Sequence, residues 1–401
     1  MKFDYKKLGN LIEISETKNK DLTVTKLVGM NIHKEFIPSV ANTIGTNLAR
    51  YKLINENQFA CNLMHVGRDK SVVISLFTSK KPTIISPAYK VFEIKNKEMI
   101  LPKFLMMYFR RSEFDRLGWF YTDSSIRGSL DWAKFCDIKI PIPTLEIQEK
   151  IVKIYEFLNY RIKLKERINK NLAKLIDLNF KNYLLNFDEY SEEELISSEF
   201  GLIPNGWKVS NLTSIANYQN GLAMQKFPPK NSEDYFKVLK IKELRQGSFD
   251  ETSDICSKNI KEECIVYDGD VIFSWSGSLL VDIWAGGIGG LNQHLFKVTS
   301  TSFDKWFYYC WTKFYLDQFI LIAKDKATTM GHIKRQHLNE SLVLIPDKKT
   351  YNNLTKLFQP IFELLIKNKI EIKKLQKLRD TLIPKLMSGE IDVSEVNYDL
   401  E

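Results

Sequence analysis

Two β-rich globular units, each followed by a long helix, form the α+β architecture that this sequence predicts, and the whole is a tandem pseudo-two-fold repeat. Three features lead there: a self-match at a fixed offset, two stretches with helical apolar spacing, and short β-branched runs divided by turn residues. Aligning IRGSLDWAKFCDIKIPIP (126–143) with TMGHIKRQHLNESLVLIP (329–346) at an offset of 203 residues superposes Gly128 on Gly331, Leu130 on Ile333, Phe135 on Leu338, Ile140 on Val343 and Pro143 on Pro346. The same offset then carries Ile151, Ile154, Leu158, Ile162, Leu172 and Leu175 onto Leu354, Leu357, Ile361, Leu365, Leu375 and Leu378 without a gap. One constant offset through both strand-like and helix-like sequence is the mark of a duplicated unit.

The helices come from spacing. No Pro or Gly occurs from Gln148 to Leu184, and apolar residues recur there at alternating three- and four-residue steps, as in a coiled-coil seam. At about 1.5 Å per residue the stretch makes a rod of roughly 55 Å. The seam positions are Ile151, Ile154, Leu158, Leu172 and Leu175 in the first helix and Leu354, Leu357, Ile361, Leu375 and Leu378 in the second. Both seams are interrupted at one level, by Arg161 and Lys165 on one side and Asn368 on the other, and polar seam residues fix register or partner choice. The plainer reading is two amphipathic helices inside one globular core.

The globular units read as strands: SVVISLF (71–77), YKVFEI (89–94), VIFSWS (271–276) and HLFKV (294–298), with Gly, Asn and Asp between them. A helix is expected in each at 101–114 and 303–320. The chain thus divides into a first globular unit (1–143), a central long helix (144–186), an acidic linker (187–200), a second globular unit (201–346), a distal long helix (347–388) and an acidic C-terminal tail (389–401).

Charge follows these boundaries. Of 401 residues, 58 are basic and 49 acidic, a net +9. The first unit has 23 basic and 14 acidic side chains, whereas residues 201–346 have 16 and 15. The helical segments 144–185 and 347–388 add +4 and +6, and the acids of 186–200 and 389–401 subtract 6 and 5. No apolar run approaches the roughly 18–20 residues of a membrane span, and MKFDYKKLGN has no signal-peptide core, so the chain reads as soluble and cytoplasmic. Five cysteines, odd in number and without a CxxC pair, suggest neither a disulfide framework nor a zinc site; they read as core or surface thiols.

No catalytic constellation stands out. AGGIGGLNQH (285–294) fits neither GxGxxG nor GxxxxGK[ST] and reads as a flexible hairpin between strands. His332 and His337 in GHIKRQH lack zinc-ligand spacing and read as solvated loop histidines. Asp347 with Glu371 and Lys373 imitates a nuclease spacing, but the last two lie inside the helical repeat. There is no adenine-methylation segment, no glycine-rich methyl-donor loop and no helicase motif. Catalytic residues and bound metal: none. What is left is a recognition protein, and basic surface with amide, hydroxyl and aromatic side chains on loops is the footprint of DNA binding. Candidate DNA-contacting residues are Ser124, Ser125, Arg127 and Ser129 in the first unit, set against Thr328, Thr329 and His332 in the second. The second unit adds Asn220, Lys226, Trp275, Ser276, Ser278, Asn292, Gln293 and His294.

This arrangement resembles the specificity (S) subunit of Type I restriction-modification systems. The resemblance rests on IPIPTLEIQEKIV (140–152), FGLIPNGWKVSNL (200–212), GDVIFSWSG (269–277) and KLRDTLIPKLMSGEIDV (377–393). It implies that each globular unit is a target recognition domain reading one half of a split, asymmetric sequence in double-stranded DNA. The long helices would pack antiparallel as a coiled-coil spacer and dock two methyltransferase (M) subunits, which flip and methylate adenine. Restriction/translocase (R) subunits would add translocation and cleavage. No cofactor is then expected on this chain; S-adenosylmethionine, ATP and Mg belong to the partner subunits. The first unit differs in starting at KKLGNLIEI (6–14) without an IPNGW opening, and its middle aligns poorly with the second unit. Two other functions fit the chain less well: a coiled-coil scaffold bearing two protein-interaction domains, and a self-contained restriction-modification enzyme, which the missing motifs oppose.

Overall fold

The strands form where β-branched and aromatic residues cluster, and the computed structural model describes them over residues 3–39, 45–123, 128–188, 190–230, 234–325 and 331–393. Two compact units result, Met1–Asn159 with Leu378–Glu401 and Tyr160–Lys377. Each long helix therefore contributes to both units rather than following one of them.

Among the described residues the first unit has ten strands: β1 (Asp4–Lys7), β2 (Ile12–Ile14), β3 (Leu27–Met30), β4 (Phe36–Pro38), β5 (Lys52–Ile54), β6 (Phe59–Asn62), β7 (Val73–Leu76), β8 (Thr83–Ile85), β9 (Lys90–Ile94) and β10 (Lys139–Ile142). The second opens with a hairpin, β11 (Leu195–Ser198) and β12 (Gly201–Pro204). It continues with β13 (Lys208–Asn211), β14 (Asn217–Asn220), β15 (Tyr235–Leu239), β16 (Ile255–Ser257), β17 (Ile265–Val266), β18 (Val271–Ser274), β19 (Leu280–Ile283), β20 (Gly289–Leu291), β21 (Leu295–Thr299) and β22 (Leu342–Ile345). The first unit orders its sheets β2-β9-β6-β7, β4-β3-β8-β5 and β1-β10; the second orders them β14-β21-β18-β19, β16-β15-β20-β17 and β13-β22. Adding twelve to every strand number of the first unit gives the second. Even the parallel pairs correspond, β3 with β8 and β15 with β20. The duplication thus includes the middle of the units, where the sequences align poorly, and among the described strands only the β11–β12 hairpin, which leads into the IPNGW turn before β13, lacks a counterpart.

Three expectations are corrected. The helices expected at 101–114 and 303–320 are each broken in two, Pro102–Phe109 with Ser112–Phe120 and Lys305–Phe314 with Leu316–Asp325. The glycines of AGGIGG are a connection between strands only in part: Gly286 and Gly287 lie between β19 and β20, whereas Gly289 and Gly290 lie in the buried strand β20, between β15 and β17. A Cβ at Gly289 would sit 2.4 Å from the Phe249 ring and one at Gly290 2.6 Å from Cys256 Sγ, so only glycine lets these elements approach.

The third correction concerns the helix seam. The long helices run Leu145–Leu184 and Lys348–Ser388. Ile151, Leu158, Leu354 and Leu375 are buried, and Ile154, Leu172 and Ile361 half-buried. Leu175, Leu357 and Leu378, however, are exposed (41%, 37% and 48%). The inward places belong to Ile176, Phe358 and Phe362. The cause is that each helix faces a domain core as well as a neighbouring helix, and the aromatic cores set its rotation. Ile176, Phe180, Leu184, Leu354, Phe358, Phe362 and Leu365 join the second core, with Phe180 5.0 Å from Trp311 and Phe358 4.4 Å from Trp306. In the first unit Ile147, Ile151 and Val152 from one helix and Ile383, Leu386 and Met387 from the other join a core built on Phe59, Phe92, Phe104 and Phe109.

The polar interruption of the seam pairs the helices in the second unit. Glu371 binds Arg161 (2.9 Å) and Lys165 (2.8 Å), Lys165 donates to Asn368 Oδ1 (3.1 Å), and Asn169 Nδ2 donates to the Leu365 carbonyl (3.2 Å). Rising numbers on one helix meet falling numbers on the other, so the pairing is antiparallel. The Lys165 hydrogen bond, with the charges of Lys165 and Arg161, holds the Glu371 carboxyl below its ordinary value of 4.5. The folded value lies under the unfolded one, so this layer's stabilisation is complete above 4.5 and is lost as pH falls through the folded value. Glu371→Gln is therefore expected to flatten the acid side of the pH–melting curve, measured by thermal unfolding below about pH 5; an unchanged acid slope rules the layer out as its source.

Among the described residues no helix is long and apolar enough to cross a membrane, and no group of His, Cys, Asp and Glu could hold a metal ion. All five thiols are free, and burial pushes Cys61 up to about 12 and Cys256 up to about 11, which keeps both protonated.

Candidate nucleic-acid interface

In the second unit, strand pairing brings three loops to one end of one sheet. β21 pairs with β14 (Asn220↔Phe296) and with β18 (Ser274↔Leu295), so the segments leaving β14 and β18 and entering β21 are neighbours. Backbone bonds then tie them together. Gly221 N donates to Leu295 O (3.1 Å), Leu222 N to Leu291 O (2.9 Å) and Gln293 N to Leu222 O (2.9 Å). Gly277 N donates to Gly331 O (2.9 Å) and Ile333 N to Trp275 O (3.1 Å), which adds the segment carrying His332.

The side chains that converge are those the loops contribute. Trp275 Nε1 donates to Asn220 Oδ1 at 3.2 Å, and Ser276 Oγ lies 2.9 Å from His294 Nδ1. His294 Nε2 lies 3.4 Å from Gln293 Nε2, while the His294 backbone N–H donates to Asn292 Oδ1 (3.2 Å). The Trp275 ring stacks on Phe296 (5.6 Å) and has His294 and His332 at 6.2 and 6.3 Å. Asn220, Trp275, Ser276, Asn292, Gln293, His294 and His332 are thus one cluster. Ser276 and Asn292 are buried and set the loops, whereas Gln293 and His294 are half-buried and His332 is exposed. Amide, hydroxyl and imidazole groups held on a rigid sheet end are suited to pairing with base edges in a groove. Lys226 and Ser278 are exposed but make none of these contacts; Ser278 instead lines a cavity of about 320 Å³ with Gly277, Leu279 and Gly331.

The first unit repeats the scaffold. Leu130 N donates to Leu63 O (2.8 Å) and Gly67 N to Gly128 O (2.8 Å), the counterparts of the Ile333–Trp275 and Gly277–Gly331 bonds. Asp123 and Ser129 close the loop base, with Ser129 N donating to Asp123 Oδ1 (3.1 Å) and Ser129 Oγ to Met64 O (3.3 Å). Ser129 therefore anchors this loop. Ser124, Ser125, Arg127, Thr328 and Thr329 lie outside the described residues. The sequence missed the segment Leu63–Arg68, which stands where Trp275–Gly277 stands in the other unit; its length differs by two residues, so no alignment signal marks it. It also missed an exposed aromatic run, Trp119 (47%), Phe120 (77%) and Tyr121, with Lys70 Nζ 5.4 Å over the Trp119 ring.

Fold and site together define a protein with two globular domains of one design, each presenting polar loops at the end of a sheet. Residues 2–174 match the family described as "Type I restriction modification DNA specificity domain", and the chain is similar in sequence to curated Type I restriction enzyme specificity subunits. The Type I restriction enzyme MjaIX specificity subunit of Methanocaldococcus jannaschii is 30% identical over 277 residues, covering 65% of this chain and 62% of that one. The EcoBI specificity subunit of Escherichia coli is 22% identical over 222 residues, or 53% of this chain and 46% of that one. The aligned region thus spans from under half to about three fifths of these relatives' length. The crystal structure of the Type I restriction-modification S subunit from M. genitalium is similar in fold, with a TM-score of 0.58 over 98% of this chain and 97% of that one at 12% identity.

Proposed function

We propose that this chain is the non-catalytic DNA sequence-specificity subunit of a Type I restriction-modification complex. It recognises a bipartite, asymmetric duplex target in the cytoplasm and positions two M subunits and the R subunits on it. Residues 1–143 and 201–346 serve as the two target recognition domains. The observation that supports this reading best is the convergence of Asn220, Trp275, Gln293 and His294 at one sheet end, on a scaffold of which the first unit repeats the strand order and two of the loop-tying backbone bonds. One design with different loop side chains suits two different half-sites. Chemistry resides on the partners, which hold S-adenosylmethionine, ATP and Mg.

The test is to express the chain with its M partner and map methylated adenines. The expected result is a split motif with a fixed gap. Gln293→Ala is then expected to relax discrimination at one base pair of one half-site, by about 1–3 kcal/mol, and to leave the other half-site unchanged. A stable complex that methylates without sequence preference would falsify the assignment.

A further inference from the structure

The repeat exchanges one pair of side chains between its copies. In the second unit the Arg335 guanidinium lies 5.8 Å from the Phe296 ring centre; in the first, Lys90 Nζ lies 5.3 Å over Trp132. The 203-residue offset places Trp132 on Arg335, each the first residue of a short helix, Trp132–Asp137 and Arg335–Glu340. The strands supply the other half. Leu63 and Trp275 are equivalent because they accept from the equivalent Leu130 and Ile333. Two residues earlier stand Cys61 on β6 and Phe273 on β18, and their cross-strand partners on β9 and β21 are Lys90 and Phe296. The cation sits on the strand in one copy and on the helix in the other, yet occupies one place on the domain. Packing alone is satisfied by two apolar side chains here. Retention of a positive charge after both carriers have changed points to a use for the charge.

The surroundings of Arg335 suit an anion. It borders a cavity of about 360 Å³ lined by Thr213, Ser214, Asn217, Thr299 and Ser300, and no carboxylate is among the lining residues. Arg335 spends one of its five N–H donors on the Tyr218 carbonyl (2.9 Å), which fixes the guanidinium. Ser300 Oγ accepts from Ser302 N (3.2 Å) and Phe303 N (3.1 Å), so both acceptor sites are used and its hydroxyl hydrogen is left to donate. From this cavity the Arg335 guanidinium reaches along the sheet to Phe296, whose ring stacks on Trp275 of the loop cluster.

We propose that Arg335 and Lys90 are backbone-phosphate seats, each neutralising one phosphodiester of duplex DNA beside the reading loops of its own domain. The proposal rests on the DNA-recognition reading above. It also accounts for how a second unit with 16 basic and 15 acidic side chains holds a polyanion, through one placed cation in a hydroxyl-lined cavity rather than through bulk charge.

The experiment is equilibrium binding of the full chain, in complex with its M partner, to a target duplex and a scrambled duplex over a range of salt. Each neutralised phosphate contributes about −0.9 to the slope of log K against log salt. Arg335→Gln and Lys90→Gln are each expected to make the slope shallower by about 0.9, and the pair by about 1.8. Each weakens binding to both duplexes by the same factor, roughly eightfold at about 0.1 M salt. Arg335→Lys restores the slope, which a merely structural role for the guanidinium does not predict. An unchanged slope with normal melting and M binding overturns the seat, as does a loss confined to the target duplex. Absence of any salt-dependent binding by the wild-type complex removes the DNA reading itself, and the two failures are told apart by that control.

Discussion

Alanine at Phe358 is expected to destabilise the second unit by about 3–5 kcal/mol, whereas alanine at its neighbour Leu357 costs less than about 1 kcal/mol. Phe358 is fully buried, and its ring stacks on Trp306 at 4.4 Å with an interplanar angle of 12°. Trp306 is itself held from the same helix, by a hydrogen bond from Nε1 to Thr355 Oγ1 (3.1 Å) and by the Tyr351 ring at 5.7 Å. Removing the phenyl ring leaves a cavity that these anchored neighbours cannot close, which places the cost at the upper end of large-to-small substitutions. Leu357 is 37% exposed and loses little. Urea unfolding followed by tryptophan emission reads the effect, because five of the seven tryptophans (207, 275, 284, 306 and 311) belong to the second unit. Equal costs for the two variants would restore the simple coiled-coil seam, in which Leu357 points inward.

That contrast shows what the sequence could and could not reveal. The long helices were legible because apolar spacing and the absence of Pro and Gly from Gln148 to Leu184 are local properties of the chain. Their rotation was not, since it is set by Trp306 and Trp311, which lie far away in sequence. The duplication was visible from Gly128 to Leu175 and invisible in the four-stranded sheets. Strand order depends on where alternation and turns fall, and residues as unlike as Cys61 and Phe273 hold the same place. Glycines in β20 carry no side chain to display a period of two, so a buried strand looked like a loop. The candidate cluster was half legible. Asn220, Trp275, Ser276, Asn292, Gln293 and His294 were found because they sit beside turn signals, but Leu63–Arg68 and Arg335 acquire their places only through hydrogen bonds and ring contacts across the fold.

Gly67→Ala is expected to release the first unit's loop at 123–129, the candidate DNA-contacting loop. A Cβ at Gly67 would lie 2.6 Å from Gly128 Cα and 3.2 Å from Gly128 O, both backbone atoms that no side-chain rotation can move. Gly128 cannot yield easily, since it has φ of +58° and its carbonyl accepts from Gly67 N at 2.8 Å. The segment 128–130 must therefore shift as a body, which breaks the Leu130–Leu63 and Ser129–Met64 bonds that hold the loop base. Overpacking of this kind costs about 1–3 kcal/mol. The cost falls on loop placement, so binding to duplexes altered in one half of the target is expected to become indistinguishable from binding to the intact target. Gly29→Ala supplies the control: it lies in β3 of the same unit with no atom within 4 Å of its Cβ position. If the two alanine variants melt alike and discriminate both half-sites alike, the Gly67–Gly128 crossing does not hold the loop. A selective defect in Gly67→Ala ties one half-site to this crossing, and Gly331→Ala, whose Cβ would lie 2.4 Å from the Ala323 carbonyl oxygen, is expected to affect the other half-site in the same way.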